Sequence, residues 1–254
     1  MARIHTSRHK ILSFYRSYHG NTTSAISATG DPRRWPNEFA FGHVHFFGPY
    51  LYRSAFWAKS EEEECQRALE HLESVIEFEG PKTVAAILIE SVVGTAGVLI
   101  PPKGYLEGVR RLCDKYGILW IADEVMSGFG RTGKWFAYQH STANPDLIVF
   151  AKGVNSGYVP LGGVVISKEI AETFKDRVFP GGLTYSGHPL ACAAAVATID
   201  AMKDEKIVEA AAQIGEKVIG PALRDLASKH RVIGEVRGLG TFWALDLVTD
   251  RASR

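Results

Sequence analysis

The sequence is poor in cysteine. Its three cysteines, Cys65, Cys113 and Cys192, lie far apart along 254 residues, and no two of them have CxxC spacing. This pattern argues against a disulfide framework and against a zinc ribbon or dithiol motif. We therefore expect free, buried thiols and a reducing compartment, most simply the cytoplasm.

Long apolar runs and a charge imbalance are also missing. No apolar run is long enough to span a membrane, and the opening stretch MARIHTSRHK has no apolar core of a secretory signal. The net charge is +1, and the longest block of like charge is Glu61 to Glu64. These features exclude a nucleic-acid or membrane partner and favour a small, neutral or zwitterionic ligand.

Several common functional motifs are absent as well. No GxGxxG follows a strand, and neither GxxxxGK[ST] nor GxSxG occurs, which excludes the commonest nucleotide-binding and hydrolase sites. His43-Val-His45 places two imidazoles on one side of an extended segment. Because no acid or cysteine lies at a suitable spacing, we expect no metal there.

What the sequence does contain is an alternation of short apolar runs and amphipathic stretches. Apolar runs predict four buried strands, Val84 to Ile89, Ile118 to Ala122, Leu147 to Ala151 and Gly163 to Ile166. Helical spacing predicts helices over Glu61 to Phe78, Gly104 to Lys115 and Pro189 to Met202. This order is typical of an α/β fold with a mainly parallel sheet and helices on both faces.

Three segments carry further expectations. Pro189 to Met202 is alanine-rich and nearly uncharged, so we expect burial on several sides. Gly30 to Arg53 has weak periodicity and many Gly, Pro and aromatic residues, which predicts a long ordered loop. The opening stretch has the composition of a helix interior.

The pattern changes near Ile207, where a long charged helix precedes a predicted strand or hairpin over Gly234 to Val248. We therefore predict a large domain over 1–205 and the start of a smaller α+β domain over 206–254. Because the first residues resemble the middle of a helix and the second unit is too short for a core of its own, we expect the chain to be a fragment that lacks both ends.

Charged residues follow three of the predicted strands. Lys152 follows the run that begins at Leu147, the pair Asp123 and Glu124 follows the second run, and Glu90 follows the first. Carboxyl ends of parallel strands form the edge where ligands bind in open α/β sheets. A partly buried lysine there would have the lowered pKa of a Schiff-base nucleophile, and a carboxylate could pair with a pyridine nitrogen. Taken singly, the lysine is better explained as a strand-end residue whose head group reaches solvent, and either acid could cap or form a local ion pair.

Two polar segments complete the candidates. Tyr18-His19-Gly20 offers an aromatic ring, an imidazole and a glycine that allows close approach of a flat ligand, although a simple turn explains the tripeptide alone better. Thr184 lies in a Gly- and hydroxyl-rich stretch before a helix N-terminus, where a phosphate is favoured.

In order and spacing, five segments resemble the class III aminotransferases of fold type I, which use pyridoxal 5'-phosphate. They are SYHGNT, IESVVGTAGV, ADEVMSGFGRTGKWFA, FAKGVNSGYVPLGGVV and GLTYSGHPLACAAA, and they extend over nearly the whole chain. The resemblance implies that Lys152 forms the Schiff base with the cofactor and moves the proton. It further implies that Asp123 pairs with the pyridinium nitrogen.

The resemblance also assigns the remaining candidates. Tyr18 would stack on one face of the cofactor ring with His19 and Gly20 beside it, and Val125 would pack on the other face. Glu90 would help to orient the region of Asp123. Thr184 would reach the phosphate of the neighbouring subunit, so the family implies a homodimer with shared active sites.

One departure concerns the substrate. Many members have Gly-Glu-Gly-Gly where this chain has Gly94-Thr95-Ala96-Gly97, and that glutamate serves enzymes that use 2-oxoglutarate. The nearby sequence is more similar to ω-aminotransferases of the taurine:pyruvate and β-alanine:pyruvate types. We therefore predict transfer from an ω-amino acid or amine to a 2-oxo acid, with pyruvate favoured. An aminomutase of the same family and a non-catalytic fragment remain as alternatives.

Overall fold

The computed structural model describes residues 1–251, which form a six-stranded sheet in the order β2-β1-β3-β4-β5-β6 and a separate two-stranded sheet, β7-β8. All neighbours in the large sheet are parallel except the β5–β6 pair at one edge. The strands are β1 Lys10–Phe14, β2 His43–Phe46, β3 Val84–Glu90, β4 Leu119–Asp123, β5 Leu147–Phe150, β6 Gly163–Ile166, β7 Ile233–Leu239 and β8 Phe242–Leu247.

The helices of the described part connect these strands. They are α1 Ala2–Thr6, α2 Thr23–Ala28, α3 Glu61–Glu79, α4 Tyr105–Tyr116, α5 Lys168–Thr173, α6 Pro189–Asp204, α7 Ile207–Ile214 and α8 Gly220–Lys229. A π-helical turn, Gly215–Ile219, joins α7 to α8. Within residues 1–251, no helix is both long and apolar enough to cross a membrane.

The longest helix, α3, has clear start and stop signals. The Ser60 side chain caps it by accepting a hydrogen bond from the Glu63 amide at 3.2 Å, and the glutamates of its first turn suit the helix dipole. Its buried stripe of Ala68, Leu72 and Ile76 belongs to the same core as the apolar side of α4 and the central strands. Trp120 of β4 is fully buried in this core. Packing on this side fixes the central strands whose ends carry the candidate residues.

The small β7–β8 sheet is tied to the large unit by polar contacts. Asp246 of β8 accepts hydrogen bonds from the Tyr50 hydroxyl at 2.8 Å and from Arg53 at 2.6 Å. Arg237 of β7 donates to the Gly97 carbonyl oxygen at 2.7 Å. Two ion-paired arginines and a tyrosine therefore hold the hairpin against the loops that follow β2 and β3.

The predicted α/β fold with a mainly parallel sheet is confirmed, as are the four predicted strands, the three helices and the hairpin after Gly234. The interpretation of Gly30 to Arg53 as a loop is wrong in part, because it contains β2, which pairs with β1. β2 has the sequence His-Val-His-Phe, whose imidazoles hide its strand character. β1 was not predicted either. The prediction that all three thiols are buried is also wrong, because Cys192 is exposed.

Candidate active site at the carboxyl edge of the sheet

The carboxyl ends of the central strands bring the predicted site residues to one edge. Glu90 at the end of β3 is in register with Asp123 at the end of β4, and Asp123 is in register with Val149 of β5. Lys152 follows Val149 by three residues, so its backbone lies within about 10 Å of that strand position. Parallel pairing thus places the acids and the lysine on the same edge.

Asp123 and His19 form a buried pair at this edge. The carboxylate Oδ2 of Asp123 accepts a hydrogen bond from Nδ1 of His19 at 2.7 Å, and Oδ1 accepts one from the Val125 amide at 3.0 Å. The side chains of His19 and Asp123 are only 2% and 7% exposed. The Thr29 hydroxyl fixes the backbone of His19 by accepting its amide hydrogen bond at 2.9 Å. Both partners are therefore held in fixed orientations.

The neighbouring acid, Glu124, has a different environment. Its carboxylate accepts hydrogen bonds from the Ser127 hydroxyl at 2.7 Å and from the amides of Ala137 and Tyr138 at 2.9 and 2.8 Å. Burial raises the pKa of Glu124, and these donors oppose that effect. Of the two acids that the sequence left open, Asp123 contacts the site and Glu124 holds the following loop.

Glu90 contacts the backbone of the predicted aromatic residue. One carboxylate oxygen accepts a hydrogen bond from the Tyr18 amide at 3.0 Å, and the other accepts one from the Gly94 amide at 2.8 Å. Burial raises the pKa of Glu90, and the nearby His19 opposes that shift. Its hydrogen bonds go to Tyr18 and to the turn after β3, and it lies in register with Asp123, so its role in orienting the region of Asp123 stays a prediction.

Asp123 and His19 line a groove of about 470 Å³ over the sheet. Leu88, Ile121 and Val149, one from each of three adjacent strands, provide its apolar lining. Tyr18, Val125 and Lys152 are not among its lining residues, so the groove is a free face of the sheet beside the candidate site and does not itself enclose a ring held by these residues.

Lys152 lines a different and larger cavity, of about 1370 Å³, together with Phe129 and Arg131. It begins a short 3-10 turn with a φ of 44°, in the left-handed region. The simpler interpretation of the lysine taken singly agrees with the structure: its side chain is exposed, in the short turn that follows β5.

The other predicted residues have varied positions. Gly20 has a φ of 124°, and a Cβ there would lie 3.2 Å from that of Ala25, which explains the glycine. Val125 is half-buried beside Asp123. Thr184 is exposed in the turn before α6. The structure thus joins Tyr18, His19, Glu90 and Asp123 by hydrogen bonds or backbone proximity, and leaves Lys152 and Thr184 outside this cluster.

The sequence analysis missed one residue at the site. The guanidinium carbon of Arg33 lies 3.8 Å from the centre of the Tyr18 ring. Arg33 belongs to the segment predicted to be a functional loop, but no motif singled it out. Only the backbone path that brings this loop back over Tyr18 reveals the contact.

The residues present fit a pyridine-ring cofactor. Asp123 supplies a buried acceptor, and Nε2 of His19 is buried with no hydrogen-bond partner among residues 1–251. A buried polar atom without a hydrogen-bond partner lowers the stability of the fold by about 1–3 kcal/mol. A ligand that forms a hydrogen bond with this atom removes that penalty, which favours its binding. Lys152 adds a primary amine at the same sheet edge.

Comparisons with known proteins agree with this chemistry. The family model for class III aminotransferases matches residues 1–254. The taurine–pyruvate aminotransferase of Bilophila wadsworthia is 37% identical over 256 residues, covering 96% of this chain and 55% of that protein. The putrescine–pyruvate aminotransferase of Pseudomonas aeruginosa is 39% identical over 247 residues, covering 96% and 54%.

Solved structures have the same fold. A taurine:2-oxoglutarate aminotransferase from Bifidobacterium kashiwanohense, in complex with PLP and glutamate, matches with a TM-score of 0.96 and 48% identity over 100% of this chain and 57% of that chain. An (S)-enantioselective omega-transaminase from Thermomicrobium roseum matches with a TM-score of 0.94 and 44% identity, over 99% and 58%. This chain spans about half the length of the curated relatives that it matches.

Proposed function

Because the chain belongs to the class III aminotransferases, a family that depends on pyridoxal phosphate, we propose that its protein moves an amino group from an ω-amino acid or amine to a 2-oxo acid. The observation that carries this proposal is the buried pair of Asp123 and His19 at the sheet edge where the strand of Lys152 also ends. The relatives named above are aminotransferases, which favours transfer between two substrates over an amino shift within one.

When bound, pyridoxal phosphate supplies a protonated ring that accepts the electron pair released at the substrate carbon. Asp123 would face the ring nitrogen, because its carboxylate is oriented by His19 and the Val125 amide. Lys152 would supply the amine that holds the cofactor, and its Nζ would take the proton removed from the substrate carbon. Tyr18 and Val125 would hold the ring, with His19 and Gly20 beside it.

Pyruvate is the acceptor that the turn after β3 favours. Thr95 replaces the glutamate found in many family members that use 2-oxoglutarate, and its hydroxyl instead accepts a hydrogen bond from Arg33 at 3.2 Å. The relatives from Bilophila and Pseudomonas are named for pyruvate, whereas the Bifidobacterium enzyme is named for 2-oxoglutarate. Assay of the full-length protein with each acceptor, with free alanine or glutamate as the product measured, decides between them.

We also propose that the protein is a homodimer that covers α6. Leu190 and Val196 on this helix are 62% and 59% exposed, and Leu183 and Tyr185 in the preceding turn are 81% and 79% exposed. Large apolar side chains are thus exposed both on α6 and in the turn before it, as is typical of a surface that another chain covers. Thr184 lies in the same turn, so a partner that covers this patch comes close to Thr184.

The experiment that tests the function is an absorption spectrum of the chain mixed with pyridoxal phosphate, recorded before and after borohydride. We expect a visible band in the unmodified chain and its absence in Lys152→Ala. Lys168→Ala, which removes another lysine near the end of β6, is the control and keeps the band. Absence of the band from the unmodified chain, or trapping of the cofactor in Lys152→Ala, contradicts the proposal.

A further inference from the structure

Arg33 covers one face of the Tyr18 ring. Its guanidinium carbon is 3.8 Å from the ring centroid, well inside the range of a cation–π contact. Arginine stacks on aromatic rings through a planar group, which lysine lacks. Tyr18 is half-buried, and the Arg33 guanidinium lies over one face of its ring.

The guanidinium is itself held from two sides. Asp31 accepts hydrogen bonds from Nε of Arg33 at 2.9 and 3.0 Å and forms an ion pair with Nη2. The same Nη2 donates to the Thr95 hydroxyl at 3.2 Å. Asp31 also caps the 3-10 turn Pro32–Arg34 by accepting the Arg33 amide hydrogen bond at 2.9 Å. The arginine therefore has little rotamer freedom left to lose when it stacks.

The backbone of Tyr18 is fixed at the same time. Its amide donates to the buried carboxylate of Glu90, which also holds Gly94, one residue before Thr95. Backbone and ring of Tyr18 are thus attached to the same turn after β3, through Glu90 in one case and through Arg33 and Thr95 in the other. With one ring face covered, a flat ligand can stack only on the opposite face.

We propose that Arg33 is a positioning residue that holds the Tyr18 ring in the orientation in which it stacks on the cofactor ring. This inference rests on the proposed function, because it takes pyridoxal phosphate as the flat ligand. Asp31 and Thr95 serve the same purpose through Arg33. The glutamate-to-threonine difference at position 95 thereby gains a second consequence, since the hydroxyl there holds Arg33.

The first test is a titration with pyridoxal phosphate followed by absorbance. We expect Arg33→Met to bind the cofactor about fivefold more weakly than the unmodified chain, the size that an exposed cation–π contact supports. Arg33→Lys keeps the charge without the plane and recovers only part of the affinity. Arg34→Met is the matched control, because Arg34 is adjacent in sequence but pairs with Glu38 instead, and we expect its affinity to be unchanged.

A double-mutant cycle separates positioning from general loss of structure. In a Tyr18→Ala background, Arg33→Met has no ring to release, so its effect on cofactor affinity disappears. If Arg33→Met binds as tightly as the unmodified chain, or if the fivefold loss persists in Tyr18→Ala, the inference is overturned while the proposed function stands.

A second readout needs no cofactor. In NMR spectra of protein labelled on the tyrosine rings, the Tyr18 signals, assigned with Tyr18→Phe, shift in Arg33→Met and not in Arg34→Met. If the unmodified chain does not bind the cofactor, the proposed function fails for this chain, and these spectra still test the contact. Unmoved Tyr18 signals in Arg33→Met overturn the inference.

Discussion

Asp123 and Glu124 are adjacent acids with separate tasks. Successive side chains of a strand point to opposite faces, so the end of β4 directs one carboxylate to the groove and the other into the following loop. The Asp123 carboxylate accepts from an imidazole, whereas the Glu124 carboxylate accepts from a hydroxyl and two amides. A single strand end therefore supplies both a candidate cofactor partner and a structural anchor.

Replacement of each acid by its amide separates the two tasks. Asp123→Asn loses the charge that pairs with a ring N–H, so we expect cofactor affinity to fall about 10- to 100-fold, as for a hydrogen bond to a charged group. Glu124→Gln turns an amide donor toward the Ala137 or Tyr138 amide, so we expect it to lower the free energy of unfolding by about 1–3 kcal/mol. Absorbance titration and urea unfolding measure the two effects. Equal cofactor affinity in Asp123→Asn and the unmodified chain contradicts the assignment.

His43 makes the stability depend on pH. Burial, reinforced by Arg3 and His45, lowers the pKa of His43 to about 4, while Glu38 opposes the shift and His19 adds to it slightly. The unfolded chain takes up the His43 proton as the pH falls below about 6.5, but the folded chain does so only near pH 4. The contribution of His43 to stability is therefore present above pH 6.5 and is lost as the pH falls toward 4.

His43→Gln removes this contribution. We expect urea unfolding between pH 7 and 4 to show a smaller loss of stability in His43→Gln than in the unmodified chain. His230→Gln, the same replacement at an exposed histidine, is the control for effects of the substitution itself. If the free energy of unfolding falls equally with pH in His43→Gln and in the unmodified chain, this explanation is wrong.

The apolar and amphipathic runs predicted the strands and helices correctly because each run follows the burial pattern of one type of element. β3 and β5 begin at Val84 and Leu147, as the apolar runs predicted. Central strands of a mainly parallel sheet are buried on both faces, so their sequences are continuous apolar runs that are easy to recognise. β2 was missed because it lies at the sheet edge, where only Phe46 of its four residues is buried. The contact of Arg33 with Tyr18 could not be predicted, because it depends on how a loop returns, which no local period encodes.

The docking of the hairpin depends on a close backbone approach. A Cβ on Gly215, in the π-helical turn, would lie 1.9 Å from the Gly240 carbonyl oxygen in the turn between β7 and β8. Gly215→Ala should gain helix propensity of up to about 1 kcal/mol, yet the clash is with backbone and cannot be relieved by a rotamer change. We expect a net loss of about 1–3 kcal/mol in urea unfolding and faster hydrogen exchange in β7 and β8.

Lys217→Ala is the control for this prediction, because Lys217 lies in the same π-helical turn and is exposed. We expect it to leave the stability within about 0.5 kcal/mol of the unmodified chain. If Gly215→Ala is as stable as Lys217→Ala, then the hairpin does not approach the π turn as closely as the structure indicates.

Helix α6 is more exposed within this chain than its apolar composition predicts. Its near absence of charge predicted burial on several sides, but within this chain the helix buries only Ala191, Ala195 and Met202. The exposed Leu190 and Val196 lack a cover within this chain, and in the proposed dimer a second copy would cover them. The expectation of burial and the proposed dimer are thus two consequences of the same alanine-rich sequence.

Val196→Glu tests this argument directly. A carboxylate in the middle of an apolar interface would be desolvated without a partner, so we expect the variant to be monomeric at concentrations where the unmodified chain is dimeric. Phe78→Glu is the matched control, because Phe78 is 93% exposed at the end of α3, far along the chain from α6. Sedimentation velocity measures both. If the unmodified chain sediments as a monomer at micromolar concentration, or if Val196→Glu remains a dimer, α6 is not the dimer surface, and Thr184 then has no partner subunit to reach.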